Sequence, residues 1–381
     1  MQWQQFFLDE YNKFINKRIL PNIQHFKIDF CTNDYLGFNS IPALQNTIKN
    51  QLIQDLKFNN IGSTGSRLLS GNSLAHTRLE KLIAATKQSE NALVFSSGYQ
   101  ANFGVLSALL SKIPKHKLKV FSDKLNHASL HSACNTLQIK QIRFEHNNLE
   151  HLEQRITSSI QDDSYIVIVT ESIFGMDGDI LDINNLVKLA KKYNAFLYID
   201  EAHATGLYGK NGYGLTCEIF DKYENIVSMG TFSKALGASG GYIACSTNIK
   251  NYLINTCSSF IYSTAPSPIL MQSIYNSWQL LPQLGDSRLH VENLSQILRA
   301  QLINLGFNIG SSNSHIIPII FDSLEQSQDL YNYLLHNNVK TCHIRPPTVP
   351  NNAPRIRISV CANHTIENIN LLCELLSIYQ S

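Results

Sequence analysis

Apolar positions Trp3, Phe6, Phe7, Tyr11, Phe14 and Ile15 recur at spacings of three and four, which predicts an amphipathic helix over residues 3–20, ended by Pro21. A strand-like stretch follows, Ile28-Asp29-Phe30-Cys31, and then Thr32-Asn33-Asp34-Tyr35-Leu36-Gly37, whose Asn, Asp and Gly suit a turn. Residues 1–38 therefore read as an N-terminal arm. From about residue 40 helical windows alternate with short β-rich runs, the pattern of an α/β unit whose mainly parallel central sheet is flanked by helices. Strands are predicted at 92–96, 119–122, 165–170, 196–200, 226–229 and 242–245, and the clearest helix at 184–193. This large unit is expected over residues 39–284. Beyond Leu281-Pro282-Gln283-Leu284-Gly285 the pattern predicts helices at 291–305, 326–336 and 366–379 and strands at 316–321 and 355–360, a smaller α+β C-terminal domain over 285–381.

Composition acts mainly by exclusion. With 381 residues, 44% apolar and 16% charged, the chain can build a large core. Lys plus Arg (31) nearly balance Asp plus Glu (29) and form no basic stripe, so no nucleic-acid or anionic-membrane partner is expected. The eight cysteines are scattered, without a C-x-x-C pair or a Cys/His cluster at ligand spacing. No metal site is expected, and the thiols should be reduced, as in a cytoplasmic protein. No apolar run approaches the ~20 residues of a membrane-crossing helix, and the start of the chain is polar; a soluble, unexported protein is the expectation.

In parallel sheets ligands collect at the carboxyl ends of strands. The sequence places Ser97-Gly98, the segment from Asp123 to His127, Glu171, and the segment from Asp200 to His203 there. Lys234 lies in Thr231-Phe232-Ser233-Lys234-Ala235-Leu236-Gly237, with hydroxyls to meet a phosphate and Gly237, Gly240 and Gly241 to let backbone approach a ligand. Such a lysine suits capture of a carbonyl cofactor as a Schiff base. Asp200 closes the run Phe196-Leu197-Tyr198-Ile199 without a basic neighbour in sequence, and a protonated pyridine nitrogen would suit it. His203 lies three residues on, within reach of a phenolic oxygen if the chain coils there. Ser97-Gly98-Tyr99 follows a strand and opens a helix, a junction that offers backbone N–H groups to phosphate. His127 could stack on a ring or donate a proton. Taken singly, Lys234 also reads as a surface lysine, Asp200 as a helix N-cap and His127 as a structural histidine.

Together these residues resemble the α-oxoamine synthases, a family of fold-type I pyridoxal-phosphate enzymes. The resemblance runs in order through Asn33-Asp34-Tyr35-Leu36-Gly37, the glycine-rich stretch 62–71 with His76, Ser97-Gly98-Tyr99, His127, Met176-Asp177-Gly178, Asp200-x-x-His203, Thr231-x-x-Lys234 and Arg355-x-Arg357. It implies pyridoxal 5'-phosphate as cofactor and a homodimer. It assigns Lys234 the Schiff base, Asp200 the pyridine nitrogen, His203 the phenolic oxygen, and His127 ring stacking with proton transfer. Gly98, Tyr99 and Thr231 would hold the phosphate. Asn33 and Arg357 would hold the amino-acid carboxylate, and Arg18 and Thr348 would lie along the acyl path. Gly175 stands where relatives usually have serine; it can border the cofactor but offers no side-chain hydrogen bond. The stretches Ile344-Arg345-Pro346-Pro347-Thr348-Val349-Pro350 and Ile261-Tyr262-Ser263-Thr264 imply L-alanine and a pimeloyl thioester, on acyl carrier protein or coenzyme A, as substrates in biotin biosynthesis. A sibling acting on another amino acid or acyl chain, and a non-catalytic subunit that keeps the fold, are the alternatives.

Overall fold

The computed structural model describes residues 2–13, 26–56 and 60–380. Its strands in chain order are β1 (Ile28–Asp29), β2 (Asn91–Phe95), β3 (Leu118–Asp123), β4 (Gln141–Phe144), β5 (Tyr165–Glu171), β6 (Phe196–Asp200), β7 (Ile226–Thr231), β8 (Gly241–Cys245), β9 (Ile316–Ile320), β10 (Val339–Lys340), β11 (Cys342–Ile344) and β12 (Arg355–Ser359). Seven form one sheet in the order β2-β8-β7-β6-β5-β3-β4. Their apolar runs are hidden on both faces. Val167, Val169, Tyr198, Val227 and Met229 pack on the side of the helix Gly98–Ser111, while Ile166, Ile168, Leu197, Ile199 and Ile226 pack on the side of the helix Ile183–Lys192. This alternation is the two-residue period of a strand covered on both sides. Each such side chain contributes about 1.5–3 kcal/mol by leaving water.

The sheet is mainly parallel, as expected, and adds two features to the sequence reading. Residues 242–245 form a strand, but β8 runs antiparallel to both β7 and β2. Only nine residues separate β7 from β8, and a parallel return needs a dozen or more. Gly237 (φ +60°) and Gly240 (φ +115°) turn the chain back directly. The edge strand β4 was not predicted: its Gln-Ile-Arg-Phe is too short and too polar to show alternation.

The smaller C-terminal α+β domain is built on an antiparallel sheet, β11-β12-β9, with the helices Gly285–Asn304, Leu324–His336 and Ile366–Gln380. Part of the arm is stitched onto it. β1 pairs parallel with β10, Phe30 N–H donates to Lys340 O (2.8 Å), Ser359 N–H to Phe30 O (2.9 Å) and Ala362 N–H to Tyr35 O (2.8 Å). The same pairing sets Cys31 against Cys342 with Cα atoms 5.0 Å apart, joined as a disulfide. This departs from the expectation of reduced thiols, because 311 residues separate the two and only the fold makes them neighbours. Of the helix predicted over 3–20, the structure describes Gln2–Asn12; the rest falls outside the described residues.

Near the carboxyl end of β6 lies a buried ion pair. Lys87 Nζ bonds Glu201 Oε2, and both side chains are fully buried. Lys87 also donates to Thr216 Oγ1 (2.7 Å), while Glu201 accepts from Thr216 N–H (2.9 Å), Thr216 Oγ1 (2.5 Å) and Ser228 Oγ (2.8 Å).

Candidate active site

Three parallel strands end side by side in Glu171, Asp200 and Thr231, with Glu171 in register with Asp200. Asp200 is 4% exposed and forms no ion pair among the described residues. It accepts from Ala202 N–H (2.8 Å) and from Asn102 Nδ2 (2.7 Å). A carboxylate so enclosed is costly to keep without a cation.

Asn102 extends the arrangement to His127. Its Nδ2 also donates to Ser129 Oγ (2.9 Å), and its Oδ1 accepts from Tyr198 OH (2.9 Å). The hydroxyl of Ser129 meets His127 Nδ1 at 2.7 Å, and Ser129 N–H donates to the same nitrogen at 3.3 Å. With Nδ1 accepting, a neutral His127 carries its proton on Nε2, which has no partner among the described residues. Burial lowers the His127 pKa below the ordinary value; Asp200 opposes the shift and Lys234 adds to it.

Lys234 is half-buried and donates no hydrogen bond to a described residue. Burial lowers its pKa to about 8, against the pull of Asp200 and Glu171 and with help from Arg357. A useful fraction of free amine is therefore present near neutral pH, as a proton acceptor requires. Glu171 moves the other way: burial and the Asp200 charge raise its pKa well above the usual carboxylate value, opposed by the His127 N–H bond and Lys234.

A cup of backbone N–H groups and hydroxyls lies beside these groups. The helix Gly98–Ser111 is capped by Ser97, whose Oγ accepts from Gln100 N–H (3.1 Å). The N–H groups of Gly98 and Tyr99 have no acceptor among the described residues. A Cβ on Gly241 would lie 2.9 Å from Gly98 N and Cα, so β8 runs directly against this helix end, and the Thr231 side chain stands beside Gly98. Thr231 Oγ1 bonds Ser233 Oγ and Gly240 O, both at 2.8 Å. Bare N–H groups at a long helix's N-terminus, flanked by hydroxyls, suit an anion. With the cationless Asp200 and the unbonded Lys234 amine, they fit pyridoxal phosphate.

On the other side is a network that joins the two domains. His203 Nδ1 meets Tyr35 OH at 2.7 Å, and Tyr35 OH lies 3.0 Å from Asn33 Oδ1. Arg357 Nη2 donates to Asn33 Oδ1 (3.0 Å) and Tyr35 OH (3.2 Å). Burial takes His203 well below the ordinary histidine pKa, with Lys234 and Arg357 adding to the effect, so its ring is neutral. Arg357 is 4% exposed and its Nε is unbonded; it forms no ion pair among the described residues. A buried guanidinium in that state is prepared for an anion from outside.

Gly175 lies against His203: a Cβ there would overlap Nε2 and stand 3.0 Å from Cδ2 and Cε1. The imidazole thus occupies the space a side chain at 175 would need. His127, Glu171, Gly175, His203 and Thr348 all line one cavity of about 690 Å³. Arg18 lies outside the described residues. Of the remaining expected positions, Gly98, Tyr99 and Thr231 stand together at the helix end, Asn33 and Arg357 belong to the network with Tyr35 and His203, and Asp200 and Lys234 lie at and just beyond the carboxyl ends of β6 and β7. Tyr35, Asn102 and Glu171 were given no role by the sequence reading. Glu171 carried one signal, its place at a strand's carboxyl end.

Fold and site together define a fold-type I enzyme. Over residues 26–376 the chain matches the family model for aminotransferase class I and II. It is 41% identical over 340 residues to 8-amino-7-oxononanoate synthase of Gluconacetobacter diazotrophicus, covering 88% of this chain and 84% of the relative. To the Haemophilus ducreyi protein of the same name it is 38% identical over 369 residues, covering 93% and 94%. Among solved structures, serine palmitoyltransferase of Sphingomonas wittichii is 28% identical with a TM-score of 0.83, over 92% of this chain and 86% of that one. The crystal structure of 8-amino-7-oxononanoate synthase from Francisella tularensis is 25% identical with a TM-score of 0.75, over 93% and 97%. The chain belongs to the aminotransferase class I and II family, in its α-oxoamine synthase branch.

Proposed function

We propose that the protein binds pyridoxal phosphate and condenses L-alanine with a pimeloyl thioester, losing carbon dioxide, as an 8-amino-7-oxononanoate synthase. The observation that carries this reading is the buried Arg357 beside Asn33, which forms no ion pair among the described residues and is near enough to Lys234 to act on its charge: a receptor for an amino-acid carboxylate close to a lysine base. The curated relatives bear that enzyme's name, and Pro347, Thr348, Val349 and Pro350 line the cavity beside His127, where an acyl chain would run.

When bound, the cofactor supplies an electron-withdrawing ring that stabilises negative charge on the amino acid's α-carbon. Asp200, fixed by Asn102 and Ala202, keeps the pyridine nitrogen protonated. Gly98, Tyr99 and Thr231 hold the phosphate. Arg357 and Asn33 hold the carboxylate and so fix which α-substituent faces Lys234. The Lys234 amine, its pKa already lowered, takes the α-proton. His127 offers the Nε2 proton to the thioester carbonyl oxygen as charge grows there, and Ser129 keeps its ring in that tautomer.

The test is a substrate panel. Alanine with pimeloyl thioester is expected to exceed glycine with acetyl-CoA and serine with palmitoyl-CoA by at least about tenfold in kcat/KM. A preference for either other pair would replace this reading with a sibling activity, and a purified protein that stays colourless with added cofactor would support the non-catalytic alternative. A homodimer belongs to the same proposal. The segments joined by the bridge between Ser66 and Thr264 carry exposed Leu68, Leu69, Leu74 and Tyr262, apolar side chains that a second copy would cover. Sedimentation at a monomer's mass would refute it.

Gly175 yields a sharper prediction. Gly175→Ser restores the commoner residue of the family, yet it should weaken cofactor binding and lower kcat/KM by about 10- to 100-fold, since the buried His203 ring must move. A cofactor titration with steady-state rates reads it; wild-type values would show that the ring can yield.

A further inference from the structure

The cavity that holds His127, Glu171 and His203 has another wall, made by Lys124, His131 and Arg143. Arg143 projects from the edge strand β4. Its Nη1 donates to Lys124 O (3.3 Å) and to His131 Nε2 (3.1 Å). Because Nε2 accepts, His131 is neutral with its proton on Nδ1, which donates to Gln141 Oε1 (2.7 Å). The guanidinium is therefore gripped at one corner by two uncharged acceptors. Its Nε and Nη2, the edge that forms a two-pronged bond, have no partner among the described residues, and neither Arg143 nor Lys124 forms an ion pair among them.

The acids nearby are committed elsewhere. Asp177 pairs with Arg355 (2.5 Å), and Glu171 accepts the His127 N–H (2.6 Å). Asp123, next to Lys124 in sequence, bonds His146 (3.0 Å) and the N–H groups of Leu125 and Asn147 (both 2.8 Å). The wall is thus net cationic and reaches solvent, since Lys124 and Arg143 are exposed. Pro347 and Val349 give the same cavity an apolar lining. A molecule with a reacting carbonyl, a run of methylenes and a terminal anion matches this combination of lining groups in one cavity.

We propose that Arg143, positioned by His131 and the Lys124 carbonyl, forms an anion subsite that receives the free carboxylate at the far end of a dicarboxylic acyl chain. The subsite selects a pimeloyl thioester over one with a neutral end, and it rests on the acyl-transfer reading above. The planar fork matches a carboxylate with two parallel N–H bonds, and a hydrogen-bonded charge pair of this kind changes binding about 10- to 100-fold. Phosphate groups of the carrier share the same anionic chemistry and are the other source to be separated.

The test uses the holoenzyme with L-alanine and three thioesters on one carrier: pimeloyl, its terminal methyl ester, and octanoyl. Wild type is expected to favour pimeloyl about 10- to 100-fold in kcat/KM. Arg143→Gln should erase that preference through the KM for pimeloyl thioester, leaving the two neutral chains, the KM for alanine and the melting temperature unchanged. Arg143→Lys, which keeps the charge but loses the fork, should recover part of it. An Arg143→Gln enzyme that still favours pimeloyl overturns the proposal. So does one that loses activity equally on all three chains, which would put carrier phosphate at Arg143. A wild type that turns over none of them strikes at the acyl-transfer reading itself, before any variant is made.

Discussion

Lys234→Ala is expected to fold, to bind pyridoxal phosphate without the yellow absorbance of a lysine-bound cofactor, and to lose turnover by at least about 10²–10⁴-fold, the range that proton transfer alone contributes. The expectation rests on position. Lys234 has a pKa of about 8 because burial works against its charge, and no described residue engages its amine. Of the lysines near the site among the described residues, Lys87 is taken by Glu201, and Lys124 is exposed at the cavity wall. The Asp200 and Gly98 contacts do not involve Lys234, so cofactor affinity should fall less than rate. Absorbance spectra and single-turnover rates decide the matter, and a variant that keeps both the absorbance and the turnover would remove Lys234 from the chemistry.

The second large effect is on stability. Lys87→Met should cost about 3–5 kcal/mol, because it strands the Glu201 charge in a fully buried site. The three hydrogen bonds from Thr216 and Ser228 soften the loss without supplying a counter-charge. Lys87→Met with Glu201→Leu should recover most of it, since a well-packed apolar pair of similar volume is often as stable as the ion pair it replaces. Denaturant unfolding of the three proteins reads both steps. A single variant as stable as wild type would mean that Glu201 is not held as a charge.

The large sheet was legible because strands buried on both faces leave uninterrupted apolar runs, and acids or hydroxyls at the ends of such runs stand out. Asp200 after Phe196-Leu197-Tyr198-Ile199 is the plainest case. Strand direction was less open to view, since the pattern of β8 is the same whichever way it runs; only the short connection before it carried the information. The edge strand β4 shows no alternation at four residues, and with it went the chance to see Arg143 as part of a cavity. Tyr35 and Asn102 escaped for another reason. Their partners lie 168 and 98 residues away, so their roles exist only once the chain has closed. Gly175 was seen as a missing side chain, whereas the fold shows the space already taken by His203.

The stitching of residues 28–35 onto the C-terminal domain makes the arm an extension of that domain in all but sequence. Asn33 and Tyr35 are therefore carried on the same platform as Arg357, through β10, the disulfide and the bonds from Ser359 and Ala362. The carboxylate grip is a preassembled jaw, while Asp200 and Lys234 belong to the large sheet. Displacing one platform against the other would preserve the geometry within the jaw and change its distance from the base. The contact to register such a displacement first is the hydrogen bond between Tyr35 and His203, which spans the seam.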